Sequence, residues 1–143
     1  MDRFSFWQRW LFVYGLLISI LGVFMAFFSA TVFVDLFNNQ INPVFWGVEN
    51  VPATTRTFQG WIYGVLGSTL TGWGIFLTFM ANYPFKIKEK WSWNCLISGL
   101  LVWFIMDTAI SLYFSVYFNA VFNGVLFIFG LLPLVFTRNK FTQ

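Results

Sequence analysis

Hydrophobic residues in this chain are gathered into four long segments, and polar residues mark the gaps between them. Each segment reaches the roughly 20 apolar residues that an α-helix needs to cross the hydrocarbon core of a bilayer. The pattern predicts an all-α polytopic membrane protein, an antiparallel bundle of four transmembrane helices within a single domain covering residues 1–143. The predicted spans are residues 10–34, 58–81, 93–114 and 118–136.

The gaps between the spans differ in length and composition. Residues 35–57 (DLFNNQINPVFWGVENVPATTRT) contain Pro43, Gly47 and Pro52 and are predicted to be an outer loop between the first two helices. This loop either folds over the bundle as a cap or lies in the membrane interface as a simple connection. The third and fourth spans are separated by so few residues that they are predicted to form a tight hairpin.

The distribution of charge predicts the orientation of the bundle. Only 9% of the residues are charged, against about 25% in soluble domains. Of the eight lysines and arginines, all except Arg56 fall in the terminal segments or in the gap after the second span, which share one side of the membrane. The positive-inside rule therefore places both termini in the cytoplasm. The few, dispersed cations argue against a nucleic-acid partner, and membrane lipids are the expected partners.

Small residues follow a regular spacing in the first two spans. The second span carries them at intervals of four and three: Gly60, Gly64, Gly67, Thr71, Gly74 and Thr78. The first span carries a matching stripe: Gly15, Ser19, Gly22, Ala26 and Ser29. Small residues allow helix backbones to approach closely within a bilayer. The stripes predict close packing of these two helices, with the alternative that they face a second copy of the chain or another membrane subunit.

A single carboxylate interrupts the third span. Asp107 lies in the stretch LLVWFIMDTAISLYF, about 21 Å along the helix from its inner end and therefore in the outer half of the bilayer. Ser111 is one turn further on the same face. The tight hairpin is expected to bring Asn119 and Asn123 of the fourth span alongside. From this depth and spacing, the four side chains are predicted to meet between the third and fourth helices. Such partners matter because a charged Asp inside a bilayer costs about 2.5–3.5 kcal/mol.

Two interpretations of this polar cluster stay open at this point. The side chains either hold the two helices together by hydrogen bonds or form a ligand site for a lipid, quinone or other amphiphile. Arg56 reaches towards Asp107 only if the outer segment folds inward. Trp103 joins the candidate site because its indole N–H lies too deep for the interface and needs a polar partner or a polar cavity.

Several chemistries are disfavoured by the residues that the chain lacks. It has no histidine and one cysteine, Cys95, which argues against haem, a metal site, a CxxC redox pair or an internal disulfide. A lone carboxylate has no paired base, nucleophile or metal beside it, which favours a non-enzymatic protein. Four short spans with one intramembrane charge also supply little for a channel or transporter.

The layout resembles that of the DoxX-like small bacterial membrane proteins. The similar features are the Gly-rich second span (GWIYGVLGSTLTGWG), the short basic inner loop and the polar hairpin (DTAISLYFSVYFNAVFNG). The resemblance implies a link to quinone or thiosulfate oxidation for some members and assigns no catalytic residue.

These observations favour a protein without a resident cofactor, unless a bound quinone or lipid serves as one. It is expected to bind a lipid or other amphiphile near the outer leaflet or to act as a small subunit of a membrane complex. The alternative is an accessory component of a quinone-linked redox enzyme.

Overall fold

The computed structural model describes residues 2–28 and 32–141, and within these ranges the regular structure is helical. The α-helices are α1 (Arg3–Phe27), α2 (Val32–Trp46), α3 (Ala53–Asn82), α4 (Lys90–Tyr113) and α5 (Tyr117–Thr137), and a short 3-10 turn, Arg138–Lys140, follows α5. Among these, α1, α3, α4 and α5 are long and apolar enough to cross a membrane. The predicted all-α class is confirmed.

The segment predicted to be an outer loop is mostly helical, and this part of the prediction was wrong. Residues 35–46 belong to α2, and residues 53–57 open α3. Pro43 and Gly47 were taken as breakers of the whole segment, whereas both act near the end of α2. Gly47 terminates the helix because its φ of 68° lies in the left-handed region, while its N–H donates to the Pro43 carbonyl at 3.1 Å.

The end of the first predicted span is corrected in the same way. The prediction ran the first helix over residues 10–34, but α1 begins at Arg3 and ends at Phe27, and residues 32–34 already belong to α2. Residues 29–31, with Ser29 of the predicted small-residue stripe among them, lie outside the described residues. Hydropathy alone joined the two helices because both flanks of this junction are apolar.

The backbones of α1 and α3 touch through their small residues. A Cβ added to Gly67 would lie 2.5 Å from the carbonyl oxygen of Gly22, and one added to Gly15 would lie 2.6 Å from Thr78 Oγ1. Ser19 Oγ also donates to the Thr71 carbonyl at 3.3 Å. The two stripes therefore face each other within one chain. Their other members in this contact are Ala26, Gly64 and Gly74, and Gly60 lies one turn before Gly64 on α3.

The remaining long helices are arranged around this pair. α5 packs against both α1 and α4, whereas α3 and α4 approach each other at few points. The order across the bundle is thus α3, α1, α5, α4, and the seam between α3 and α4 is not closed by backbone packing.

The end of the bundle that holds the chain termini is joined by an aromatic cluster. The ring of Phe85, in the connection after α3, lies 5.8 Å from that of Phe4 and 4.8 Å from that of Phe141. Phe85 is fully buried. This cluster brings the N-terminal segment, the connection between α3 and α4, and the segment after α5 together at one end of the bundle.

The opposite end is covered by α2. The Phe37 ring meets the rings of Phe118 and Phe122 edge-on, with centroids 5.2 and 5.7 Å apart. Phe45 lies 5.9 Å from Phe114 at the end of α4. α2 therefore lies against the start of α5 and the end of α4, and the cap alternative stays a prediction. We call this the capped end.

Replacing Gly67 by alanine is expected to destabilise the fold by about 1–3 kcal/mol, because the new methyl group would overlap the α1 backbone. The matched control is Gly72→Ala on the same helix, where a Cβ would meet nothing within 4 Å. That change is expected to be neutral or slightly stabilising. The free energy of unfolding in mixed micelles measures both, and equal effects of the two substitutions would contradict the packing described here.

Candidate functional site

The candidate site is built around Asp107, three turns of helix after the buried Leu96 on α4. Asp107 is half-buried and Ser111, one turn later, is buried. The Ser111 hydroxyl donates to the Asp107 backbone carbonyl at 2.7 Å and lies 3.3 Å from Asp107 Oδ1. Such a bond to the preceding turn holds the serine side chain against its own helix.

The turn after α4 places the first residues of α5 beside this serine. Ser115 has a φ of 60°, and the Val116 N–H donates to the Ser111 carbonyl at 2.8 Å. The chain reverses at once and α5 begins at Tyr117. The Asn119 amide nitrogen then lies 2.8 Å from Ser111 Oγ.

Both asparagines of α5 donate to the carboxylate. Asn119 Nδ2 and Asn123 Nδ2 each lie 2.9 Å from Asp107 Oδ1. Asn123 is only 2% exposed. The structure thus brings together four of the residues selected from the sequence: Asp107, Ser111, Asn119 and Asn123.

The contacts of the carboxylate are one-sided. All of its side-chain hydrogen bonds converge on Oδ1, and within the described part of the chain Oδ2 has no hydrogen-bond partner. Oδ2 is also not among the fully buried atoms that lack a partner, which in the described residues are Gln59 Oε1 and Thr108 Oγ1. The carboxylate is therefore fixed by one oxygen and presents the other as an accessible acceptor.

The other two candidate residues, Arg56 and Trp103, are not hydrogen-bond partners of Asp107. A pairing of Arg56 with Asp107 was one expectation, and it does not form. Arg56 is exposed on α3, and its Nη2 donates to Asn50 Oδ1 at 3.3 Å. Trp103 lies one turn before Asp107, and its ring packs against Trp73 of α3 with centroids 5.4 Å apart.

An apolar crevice opens where α3 and α4 fail to close. Its volume is about 190 Å³. Trp73, the partner of Trp103, lines it, and the small residues Cys95 and Gly99 of α4 leave room for it. Its other lining residues are Leu11, Tyr14, Phe76, Leu77, Met80, Leu96, Leu100, Gly130 and Leu134.

Sequence reasoning missed this crevice because it looked for polar residues only. Cys95 and Gly99 are small residues four positions apart on one helix face. That spacing was a usable signal, since two small residues on an otherwise bulky span leave a gap in a bundle.

A second polar group, also missed, joins α2 to α3. Gln59 Nε2 donates to Asn42 Oδ1 at 2.6 Å, and the Tyr63 hydroxyl donates to Asn38 Oδ1 at 2.8 Å. The signal was present in the amide-rich run NNQIN together with Gln59. It was overlooked because the run was assigned to a loop, which hid its helical periodicity.

Comparisons with protein-family models, curated proteins and solved structures gave no match to this chain. The resemblance in layout to the DoxX-like proteins stays a prediction.

Asn123→Ala is expected to destabilise the contact between α4 and α5 by about 1 kcal/mol, because it removes a buried donor from the carboxylate. Unfolding in mixed micelles measures the loss. Asn39→Ala is the matched control, since Asn39 is exposed on α2. If the effect arises through Asp107, it must shrink in an Asp107→Ala background, and an undiminished effect would assign it to packing instead.

Proposed function

We propose that the protein is an integral membrane protein in which α1, α3, α4 and α5 form an antiparallel bundle of four spans. Large hydrophobic side chains stay exposed along all four helices, as contact with lipid requires, with examples in Ile20, Phe76, Ile105 and Val121. Such a surface on a soluble monomer would be an aggregation hazard.

The proposed orientation follows from charge. The aromatic cluster at the terminal end joins the three segments that carry Arg3, Arg9, Lys86, Lys88, Lys90, Arg138 and Lys140. The positive-inside rule places this end in the cytoplasm and the capped end on the outer side of a bacterial cytoplasmic membrane.

Orientation is tested by cysteine labelling in a Cys95→Ala background. An impermeant maleimide is expected to label Glu49→Cys in intact cells. Lys140→Cys is expected to react only after the membrane is opened. The reverse pattern would invert the topology, and labelling of both in intact cells would contradict the three spans proposed between Glu49 and Lys140.

We further propose that the bundle binds an amphiphile beside α4, with its polar group at Asp107 and its apolar chain in the crevice between α3 and α4. The observation that carries this proposal is the one-sided fixing of the carboxylate. The amides of Asn119 and Asn123 donate to Oδ1, and the Ser111 hydroxyl lies 3.3 Å from it, while Oδ2 has no partner in the described part of the chain.

The geometry defines which polar group fits. With the carboxylate ionised, Oδ2 only accepts, and the proposed ligand then donates a hydrogen bond from a hydroxyl or an ammonium group. The uncharged amides of Asn119 and Asn123 hold the carboxylate without neutralising it, and such a pre-oriented acceptor discriminates strongly against ligands that lack a donor.

The apolar part of the ligand has a matching place. The crevice reaches Trp73, whose ring contacts Trp103, and Trp103 lies one turn from Asp107 on α4. An acyl or isoprenoid chain in this crevice would lie between α3 and α4. It would contact apolar side chains of both helices that do not contact each other.

The alternative, an accessory role in quinone-linked redox chemistry, uses the same site. A quinol has hydroxyl groups that donate to Asp107 Oδ2, whereas the oxidised quinone has only carbonyl acceptors. The open acceptor therefore favours the reduced form as the bound species. The resemblance in layout to the DoxX-like proteins, some of which are linked to quinone oxidation, also supports this alternative.

The test compares amphiphiles retained by the wild-type chain and by Asp107→Asn after purification from native membranes in a mild detergent. Mass spectrometry is expected to find a lipid or quinol that the variant retains roughly tenfold less, because the charge-assisted hydrogen bond is lost. Asp2→Asn, the same change at an exposed terminal residue, serves as the matched control. Unchanged retention in Asp107→Asn would end the proposal.

The crevice is tested separately in the same assay. Gly99→Leu fills the crevice with an apolar side chain and is expected to reduce retention while Asp107 is intact. Gly124→Leu is its control, since neither glycine has an atom within 4 Å of an added Cβ and Gly124 does not line the crevice. Equal retention in the two leucine variants would place the apolar chain elsewhere.

A further inference from the structure

A second polar cavity lies between α2 and α3, with a volume of about 260 Å³. Its residues are distinct from those that hold Asp107, and it opens on the opposite face of α2. They comprise two carboxylates, one guanidinium and five amides: Asp35, Asn38, Asn39, Asn42, Glu49, Asn50, Arg56 and Gln59.

The amides on its floor are fixed by one another. Gln59 Nε2 donates to Asn42 Oδ1 at 2.6 Å, and Asn42 Nδ2 donates to the Glu49 carbonyl at 2.7 Å. Asn42 and Gln59 are both buried. The side chain of Gln59 is thereby anchored through its nitrogen.

Its oxygen is left without a partner. Gln59 is 7% exposed, and its Oε1 is a buried atom with no hydrogen bond in the described part of the chain. A buried polar atom without a partner costs about 1–3 kcal/mol. Gln59 is one of the residues that line the cavity, so this unpaired acceptor lies at its wall.

The cavity adds further acceptors and a net negative charge. Asp35 and Glu49 are exposed at its edge, and within the described residues neither carboxylate is in a hydrogen bond or ion pair. Arg56 is the cation of the set, and its Nη2 already donates to Asn50 Oδ1. The unpaired acceptors and the net negative charge of the cavity therefore favour a ligand with hydrogen-bond donors and a positive charge.

A metal ion fits these groups less well than an organic cation. Calcium takes six to eight oxygen ligands in a close shell. The described residues contain no group of three or more acidic, histidine or cysteine side chains arranged for a metal. A primary ammonium group carries three N–H donors, which matches the oxygen of Gln59 and the two carboxylates.

We propose that this cavity binds a primary ammonium group, carried either by a small free amine or by the headgroup of an aminophospholipid. Gln59 Oε1 accepts one N–H, and Asp35 and Glu49 accept the others. Arg56 stands at the same cavity and suits an adjoining phosphate. The site goes beyond the amphiphile site at Asp107 and shares no residue with it.

The test uses pairs of cations that differ in N–H groups. The full chain in detergent micelles is titrated with ethanolamine or choline chloride, and nanodiscs of phosphatidylethanolamine or phosphatidylcholine are compared. Hydrogen exchange over residues 35–59 is the readout. Ethanolamine or its lipid is expected to slow exchange, while choline, which has no N–H on its ammonium, is not.

Response to free ethanolamine assigns the site to small amines, and response to the lipid alone assigns it to a headgroup. An equal response to choline, a stronger response to calcium chloride, or no response would each overturn the proposal. The last result would mean that water alone satisfies Gln59.

Charge variants check the assignment of residues. Asp35→Asn and Glu49→Gln are each expected to weaken ammonium binding about two- to fivefold, as for exposed ion pairs. Arg56→Gln is expected to tighten the binding of free ethanolamine, because it removes a repelling cation. Asp2→Asn is the control at the terminal end.

Gln59→Met removes the buried acceptor, and the carboxylate variants keep the test valid if that change unfolds α2. Unaltered affinity in both carboxylate variants would refute the site.

Discussion

The close approach of the α1 and α3 backbones is the constraint on which the rest of the structure depends. Gly22 and Gly67 lie so close that neither helix has room for a side chain at these points. Because their small faces are used against each other, the opposite side of α1 is left to receive α5. α4 then joins mainly through α5, and its Trp103 also packs against Trp73 of α3. The open seam between α3 and α4, and the crevice in it, follow from this order of packing.

Two polar arrangements are held by amide side chains. The Asp107 carboxylate is held by amides of α5, and Gln59 of α3 is held by Asn42 of α2. Both arrangements use uncharged amides as partners. In a low-dielectric setting an amide donor orients a carboxylate without the desolvation cost of a second buried charge. Each arrangement also leaves one oxygen open, which is why both are proposed as binding sites and not as helix contacts alone.

Much of the fold could be predicted from the sequence. The long apolar segments and the tight turn after α4 followed from hydropathy and spacing. The meeting of Asp107 with Asn119 and Asn123 required only helix periodicity and a short turn, because all three belong to one local hairpin. The prediction failed at α2, where Pro43 and Gly47 were given too much weight. The polar face of α2 contacts α3 and its aromatic face contacts the start of α5, so the helix is recognised only from these tertiary contacts.

The sequence by itself determined the four long apolar helices, which faces are small enough for contact, and which polar residues share a hairpin. These properties depend on neighbours within a few turns along the chain. Only the tertiary structure decided that Arg56 stays away from Asp107, that α3 and α4 leave a crevice, and that Gln59 keeps an unpaired oxygen. Each of these depends on how residues far apart in sequence share space, and spacing along one helix carries no information about that.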